Sequence, residues 1–229
     1  MAGRQQMRMF LGAILSLIGF FSLLAVIMFV PAGIGWRNGW VFLAVFLLQM
    51  GIAAVYIWRK NPDLFVARSR MQKGTKGWDR VLFYVLQATL LGEFGVAAFD
   101  FRYHWSAARV WVVTLGYVLF TAGMVGCFWV LSVNQFAEMS VRIQTERGHQ
   151  VVDTGPYAIV RHPMYVACFL LFPGIALALG SFWALIPAAL VSVILVVRTV
   201  LEDRTLQREL EGYKEYAARV RYRVIPGVW

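Results

Sequence analysis

Apolar and polar positions alternate on a long scale: runs of about twenty apolar residues are separated by short charged segments. Residues 9–30 form the first run, which closes at Pro31, Gly33 and Gly35. Residues 40–58 form the second, with Trp40 and Trp58 at its ends, where aromatic rings favour a membrane–water interface. Residues 81–99 and 110–133 are the third and fourth. Each is close to the ~20 residues a helix needs to cross the hydrocarbon core, so the pattern predicts four transmembrane helices within residues 1–133. The first run follows Arg4 and Arg8 as a signal peptide would, but it exceeds the roughly 7–15 apolar residues of such a segment and predicts a retained helix.

Residues 164–197 are a longer run, interrupted by Pro173-Gly174, Gly180-Ser181 and Pro187. This is too long for one straight span. It predicts a helical hairpin turning near Gly180-Ser181-Phe182, with arms of ~16 residues, or ~24 Å each, short for a full crossing. From Arg198 onward the chain is polar and reads as a cytoplasmic helix to about Val220. The expected fold is an all-α integral membrane protein: a four-helix transmembrane region (1–133) and a second region (134–229) holding the hairpin 164–197 and the C-terminal helix.

Composition strengthens the membrane reading. Of 229 residues 60% are hydrophobic and 15% charged, against about 45–50% and 25% in soluble domains, which excludes disordered chains and nearly all soluble enzymes. The net charge of +10 invites a nucleic-acid reading, but its placement argues for topology instead. With the N-terminus inside, 19 of the 22 basic residues fall on the cytoplasmic side, leaving Arg37, Arg102 and Arg109 outside. That asymmetry puts both termini and both long polar segments (59–80 and 134–162) in the cytoplasm. No nucleic-acid partner and no metal are expected, because the three His and two Cys (Cys127, Cys168) are scattered over separate segments. A short chain with no sorting signal points to a prokaryotic inner membrane.

Candidate chemistry lies on either side of the hairpin. Before it come Gln144, His149, Gln150, Val151, Val152, Gly155-Pro156-Tyr157 and Arg161-His162-Pro163-Met164-Tyr165. Gly155-Pro156 is turn chemistry, and Pro163 suits the first turn of a helix while biasing His162 to extended geometry. Arg161 and His162 therefore sit at a helix N-terminus, a natural place for an anion. Their plainer reading is a charged membrane boundary. After the hairpin come Arg198 and Glu202, one turn apart on a helix leaving the bilayer, where an ionisable pair usually faces a cavity. The hairpin should bring His162 and Glu202 together. Val151-Val152 should be extended, with free backbone groups, and Tyr157 and Tyr165 offer aromatic faces that favour a cation. Glu93, inside the third span, either lines a substrate cavity or pairs with Gln87 or another helix's hydroxyl.

The order of these pieces resembles the isoprenylcysteine carboxyl methyltransferase family and related phospholipid methyltransferase-like membrane proteins. The match covers 144–229: Gly-Pro-Tyr157, Arg161-His-Pro-x-Tyr165, the hairpin, Arg198-x-x-x-Glu202-Asp203, Gly212-Tyr213-x-x-Tyr216 and Arg223-Val-Ile-Pro226. Where the family has Glu-Glu this chain has Glu202-Asp203. The resemblance implies an S-adenosyl-L-methionine-dependent carboxyl O-methyltransferase acting on an isoprenylcysteine-like substrate that enters from the bilayer. It puts cofactor contacts on Gln144, His149 to Val152, Tyr157, His162 to Tyr165 and Glu202, and substrate binding on Arg198. On residue chemistry Arg161 joins the cofactor set, and Arg198 and Glu202 are the expected catalytic pair. A thiol or phospholipid acceptor is the alternative; it would need deprotonation, by Glu202, Asp203 or His149. A third reading is an NADPH-dependent sterol-reductase-like enzyme, with Arg204, Arg208 and Lys214 near the 2′-phosphate.

Overall fold

The computed structural model describes residues 2–68 and 71–229, with side chains for residues 11, 12, 14–68 and 71–229. Of the basic residues counted for topology, the side chains of Arg4 and Arg8 and the whole of Arg70 lie outside the described residues. The apolar runs are helices that overrun their apolar limits. They are α1 (Ala2–Ala32), α2 (Arg37–Lys60), a short α3 (Pro62–Ala67), α4 (Gly77–Tyr103), α5 (Val110–Val133), α6 (Pro163–Ala178), α7 (Leu185–Glu209) and α8 (Tyr213–Arg219). No strand occurs among the described residues.

Five helices are long and apolar enough to cross a membrane: Ile14–Ala32 of α1, then α2, α4, α5 and α7. The expectation of four spans plus a hairpin with two short arms is corrected here. The first arm, α6, has 16 residues, but the second is the 25-residue α7, ~37 Å long. Helical backbone continues past the last apolar position, because Arg198 to Glu209 extend the same helix as a polar end. The chain then breaks at Leu210–Gly212, where Gly212 takes φ +77, and α8 follows as a separate helix of about two turns. The turn between α6 and α7 falls at Gly180-Ser181, as expected, with Gly180 at φ +78.

Although short, α6 reaches from one end of the bundle to the other. It starts beside α7's polar end and finishes where Ser181 and Phe182 bond the α4 terminus and the loop after it. It can do so because it packs against α5 almost backbone to backbone. A Cβ on Gly116 would come within 2.1 Å of Ala178 N, and one on Gly174 within 2.4 Å of Phe120 N. Small residues allow this approach, which is how membrane helices associate without a hydrophobic driving force. Phe42, Phe94 and Phe120, from α2, α4 and α5, interlock at centroid distances of 5.0–5.8 Å in the core. Leu48, Val118 and Val193 are more than half exposed on the outer faces, where lipid would cover them.

The two ends differ. At one, Asp100 accepts from Ser106 N and Oγ at 2.7 Å and from Ser181 Oγ, fastening the α6–α7 turn to α4. His104, the left-handed cap of α4, is exposed there. The other, hereafter the motif end, gathers residues 61–76, 134–162 and everything from Arg198 on. Glu93 lies between, fully buried, with neither carboxyl oxygen bonded among the described residues. Neither Gln87 nor another helix's hydroxyl among the described residues bonds it, and it lines neither of the two cavities described below.

Candidate active site

The motif end is organised around two buried aspartates. Asp203, on α7, is fully buried and binds Arg161 Nε and Nη2 (2.9 and 3.1 Å), Arg223 Nε (2.9 Å), Tyr213 Oη (3.1 Å), Gln207 Nε2 (2.9 Å) and His162 Nε2 (3.3 Å). Arg161 also donates Nη1 to the carbonyls of Val220 and Arg221 at 2.8 Å. The backbone N–H groups of Arg161 and His162 donate to Tyr222 and Arg223 O. The Arg-His-Pro motif is thus bolted to the C-terminal tail through Asp203. Placing Arg161 and His162 as a free anion site is corrected at this point, since the guanidinium is fully engaged and the imidazole rests on a carboxylate. Breaking such a buried ion cluster costs about 3–5 kcal/mol, so a ligand would not displace it.

Asp79, at the start of α4, is the second. Its oxygens accept from Arg198 Nε (2.7 Å) and Nη2 (3.2 Å) and from Val141 N (2.7 Å). Arg198 Nη2 also donates to Met139 O at 2.7 Å. Arg198 and Glu202, one helical turn apart, do not pair with each other. Asp79 takes the Arg198 guanidinium through both carboxylate oxygens, a bidentate geometry that a single turn of helix does not offer Glu202 here. Glu202 instead accepts from Tyr165 Oη, and Arg198 sits over the Tyr165 ring, 6.0 Å from its centroid. Tyr165 stacks in turn on His162, at 5.8 Å and 21°. Tyr165, Glu202 and Arg198 are therefore brought together, with His162 behind them.

The remaining expected residues divide. Gln144 is buried and spent: Nε2 donates to Phe136 O (2.7 Å) and Oε1 accepts from Arg147 (2.8 Å). It supports the loop and has no side-chain donor or acceptor directed outward. His149 leans on the Phe136 ring (4.7 Å), and its Nδ1 accepts from Gln144 N at 3.4 Å. Burial lowers its proton affinity, which favours the neutral ring at pH 7. Gln150 is exposed. Val151 packs on Leu210, Tyr213 and Tyr216, while Val152 lines a cavity of about 280 Å³ with Tyr56, Lys60, Asn61, Val133 and Gln135. Neighbours facing opposite ways are the mark of extended backbone. The N–H and C=O groups of residues 150–152 make no hydrogen bond among the described residues. Tyr157 accepts from Asn134 Nδ2 at 2.7 Å, and burial pushes its phenol proton affinity up. Pro163 is buried at the first turn of α6, and Met164 is half-buried behind it. A smaller cavity, about 190 Å³ around Asp100 and Ser181, lies at the opposite end and touches none of these residues.

Two residues absent from the sequence expectations stand in this site. Asp79 neutralises Arg198, and Arg68, at the end of α3, donates Nη1 to Ala137 O at 2.6 Å. Burial is the largest influence on the Arg68 guanidinium and lowers its proton affinity, with Arg198 among its charged neighbours.

No curated protein matches the chain. Residues 111–211 match the family model described as phospholipid methyltransferase. The matched stretch begins in the first turn of α5, takes in α6 and α7, and carries Tyr157, Arg161 to Tyr165, Arg198, Glu202 and Asp203; the closing Gly212 to Pro226 pieces fall beyond it. Five apolar helices joined to that match make this an integral membrane protein whose residues 111–211 are similar to the phospholipid methyltransferase family, a family that includes isoprenylcysteine carboxyl methyltransferase-like membrane enzymes.

Proposed function

We propose that the chain is an S-adenosyl-L-methionine-dependent methyltransferase that works at the cytoplasmic face of its membrane on a lipophilic acceptor arriving through the bilayer. Its acceptor group in this reading is the carboxylate of an isoprenylcysteine-like lipid, and residues 134–229 form the cofactor-binding region. The observation that carries the reading is the state of Glu202. Of the acids packed at the motif end, Asp79, Glu138 and Asp203 are each engaged by arginine, whereas Glu202 has only the Tyr165 hydroxyl among the described residues.

The donor set suits the cofactor's polar groups. Glu202 can accept from an ammonium or ribose hydroxyls, the unpaired edge at 150–152 can meet an adenine, and Val152 can pack on its face. Tyr157 and Tyr165 offer aromatic surface to a sulfonium. S-adenosylmethionine would supply the activated methyl: an acceptor carboxylate oxygen forms the new O–CH3 bond, the S–CH3 bond breaks, and its electron pair stays on sulfur as a neutral thioether. A carboxylate acceptor is already ionised at pH 7, so no residue has to take a proton. The protein's part is alignment and exclusion of water, which can supply several kcal/mol of the barrier. Arg198, held rigidly by Asp79 and the Met139 carbonyl, keeps Nη1 without a hydrogen bond among the described residues. That group is the one available to orient an acceptor oxygen.

A second reading, a phospholipid amine as acceptor, is favoured by the family's description. The amine would first have to lose a proton, and His149, kept neutral by burial, or Glu202 would take it.

Calorimetric titration of the detergent-purified chain with S-adenosylhomocysteine, then with NADPH, tests the class. Saturable binding of the first alone, weakened strongly by Glu202→Gln, is expected. Binding of NADPH alone would overturn the methyltransferase reading in favour of a reductase.

A further inference from the structure

Arg68 closes α3, in the polar segment between α2 and α4, and its side chain is half-buried. Its guanidinium makes one hydrogen bond, to Ala137 O, and no carboxylate among the described residues lies within ion-pair distance. The carbonyl two residues on, Met139 O, is held by Arg198. Two guanidinium groups therefore clasp alternate carbonyls of one short segment and stand as neighbours. Arg198 has Asp79 to balance it, and Arg68 has no ion-pair partner among the described residues. Arg68 is also within electrostatic reach of Tyr157, of Cys127 on α5 and of Cys168 on α6. Cys168 is one helical turn from Tyr165, the residue that touches both Glu202 and Arg198. The uncompensated charge thus borders the corner where the candidate site residues meet.

A guanidinium does not lose its proton in a protein. Withdrawn from water beside a second arginine, and without a counter-ion, it is a destabilising arrangement that an incoming anion relieves. We propose that Arg68 anchors the acidic head group of the methyl acceptor, a carboxylate or a phosphate on a lipid, beside the Asp79-neutralised Arg198. The inference rests on the methyl-transfer reading for calling that lipid the acceptor. It adds that a guanidinium from the first half of the chain, outside the family-matched stretch, selects the acceptor by its acidic head group. Arg161, engaged by Asp203 and tail carbonyls, cannot serve in this way.

The test is lipid binding to the detergent-purified full chain in the wild type and in Arg68→Gln, Arg68→Met and Arg68→Lys. The Gln variant keeps a donor for Ala137 O and loses only the charge; the Met variant covers a folding failure in the first. The probes are N-acetyl-S-farnesylcysteine, its uncharged amide, and phosphatidylglycerol. A charge-assisted contact of this type predicts about a ten-fold or greater loss of affinity for an acidic lipid. Recovery in Arg68→Lys and no change for the amide are expected as well. Whichever acidic lipid responds identifies the head group as carboxylate or phosphate. S-adenosylhomocysteine affinity should stay within about two-fold throughout, which also reports folding. Unchanged acidic-lipid binding in the neutral variants, an equal loss for the amide or for S-adenosylhomocysteine, or no acidic-lipid binding by the wild type would each overturn the proposal. Failure of the wild type to bind S-adenosylhomocysteine would instead remove the methyltransferase reading, and the lipid arm would still stand or fall by itself.

Discussion

Adjacent acids on α7 have different work because their partners differ. Asp203 holds three basic residues and two side-chain donors, and Glu202 holds one tyrosine. Asp203→Asn should therefore destabilise the protein by about 3–5 kcal/mol, since it leaves buried arginines unpaired. Glu202→Gln should leave thermal stability within about 0.5–1.5 kcal/mol, the worth of one hydrogen bond. Thermal unfolding in detergent compares them, and equal losses would contradict the division. Arg198→Ala should behave like the first, because it strands buried Asp79. The double variant Asp79→Ala/Arg198→Ala should recover a large share of the lost stability, and a strictly additive cycle would show that the pair is uncoupled. His149 adds a pH dependence. Burial lowers its pKa below the ordinary 6.5, so below 6.5 the unfolded loop binds the proton more readily than the folded one. The stabilising contribution, complete above 6.5, is then lost as pH falls through the lowered value. The protection factor of the Gln144 amide, its exchange rate corrected for the intrinsic pH dependence, should fall on acidification over that window in the wild type and respond less in His149→Phe. The opposite order would count against a buried neutral ring.

Elements were legible where the hydropathy boundary coincides with a change in backbone partners. Helix α5 runs over residues 110–133 as the pattern predicted, because Arg109 and Asn134 flank an unbroken apolar run and both leave helical geometry. Helix α7 was misread, because a helix that passes from lipid into a polar end changes composition without changing backbone. The same blindness hid Asp79. Placing the third span at 81–99 left it in a loop, while α4 begins at Gly77 and buries Asp79 against Arg198, 119 residues away. An acid in the first turn of a helix is ordinarily a dipole partner, so no local pattern marks this one out. Arg68 was one of seven basic residues in a segment read only for topology. That the hairpin turn brings the residues before it against those after it was legible, but the partners were not: His162 was expected beside Glu202, and it meets Asp203 while Tyr165 takes Glu202. Close packing of α5 on α6 was not legible either, since glycines in a membrane span are common. It makes a sharp prediction. Gly116→Val should cost about 1–3 kcal/mol or rearrange the turn, because its Cβ would strike the Ala178 backbone. Gly51→Val, with open space around it, should change little. A melting series that ranked the two alike would remove the backbone-contact argument.

For the whole molecule, the dominant feature is the unequal distribution of chemistry between the two ends. The opposite end is closed by Asp100 and the serines around it, and its outer surface carries Tyr103, Trp105, Trp111 and Trp183 in exposed positions suited to an interface. The motif end carries the ion clusters, the unpaired 150–152 edge and the larger cavity. A catalyst drawing a soluble cofactor from the cell and a lipid from the bilayer needs its polar end in the cytoplasm, which is also what the basic-residue asymmetry demands. Charge bias and chemistry are independent arguments for one orientation, and a single labelling experiment can refute both. In a background carrying Cys127→Ala and Cys168→Ala, Ala107→Cys places a thiol on the exposed loop of the opposite end, and Gln150→Cys places one at the motif end. In intact cells a membrane-impermeant maleimide should modify the first and spare the second, and detergent should make both reactive. The reverse pattern would turn the site away from the cytoplasm and leave the cofactor reading without a source of cofactor.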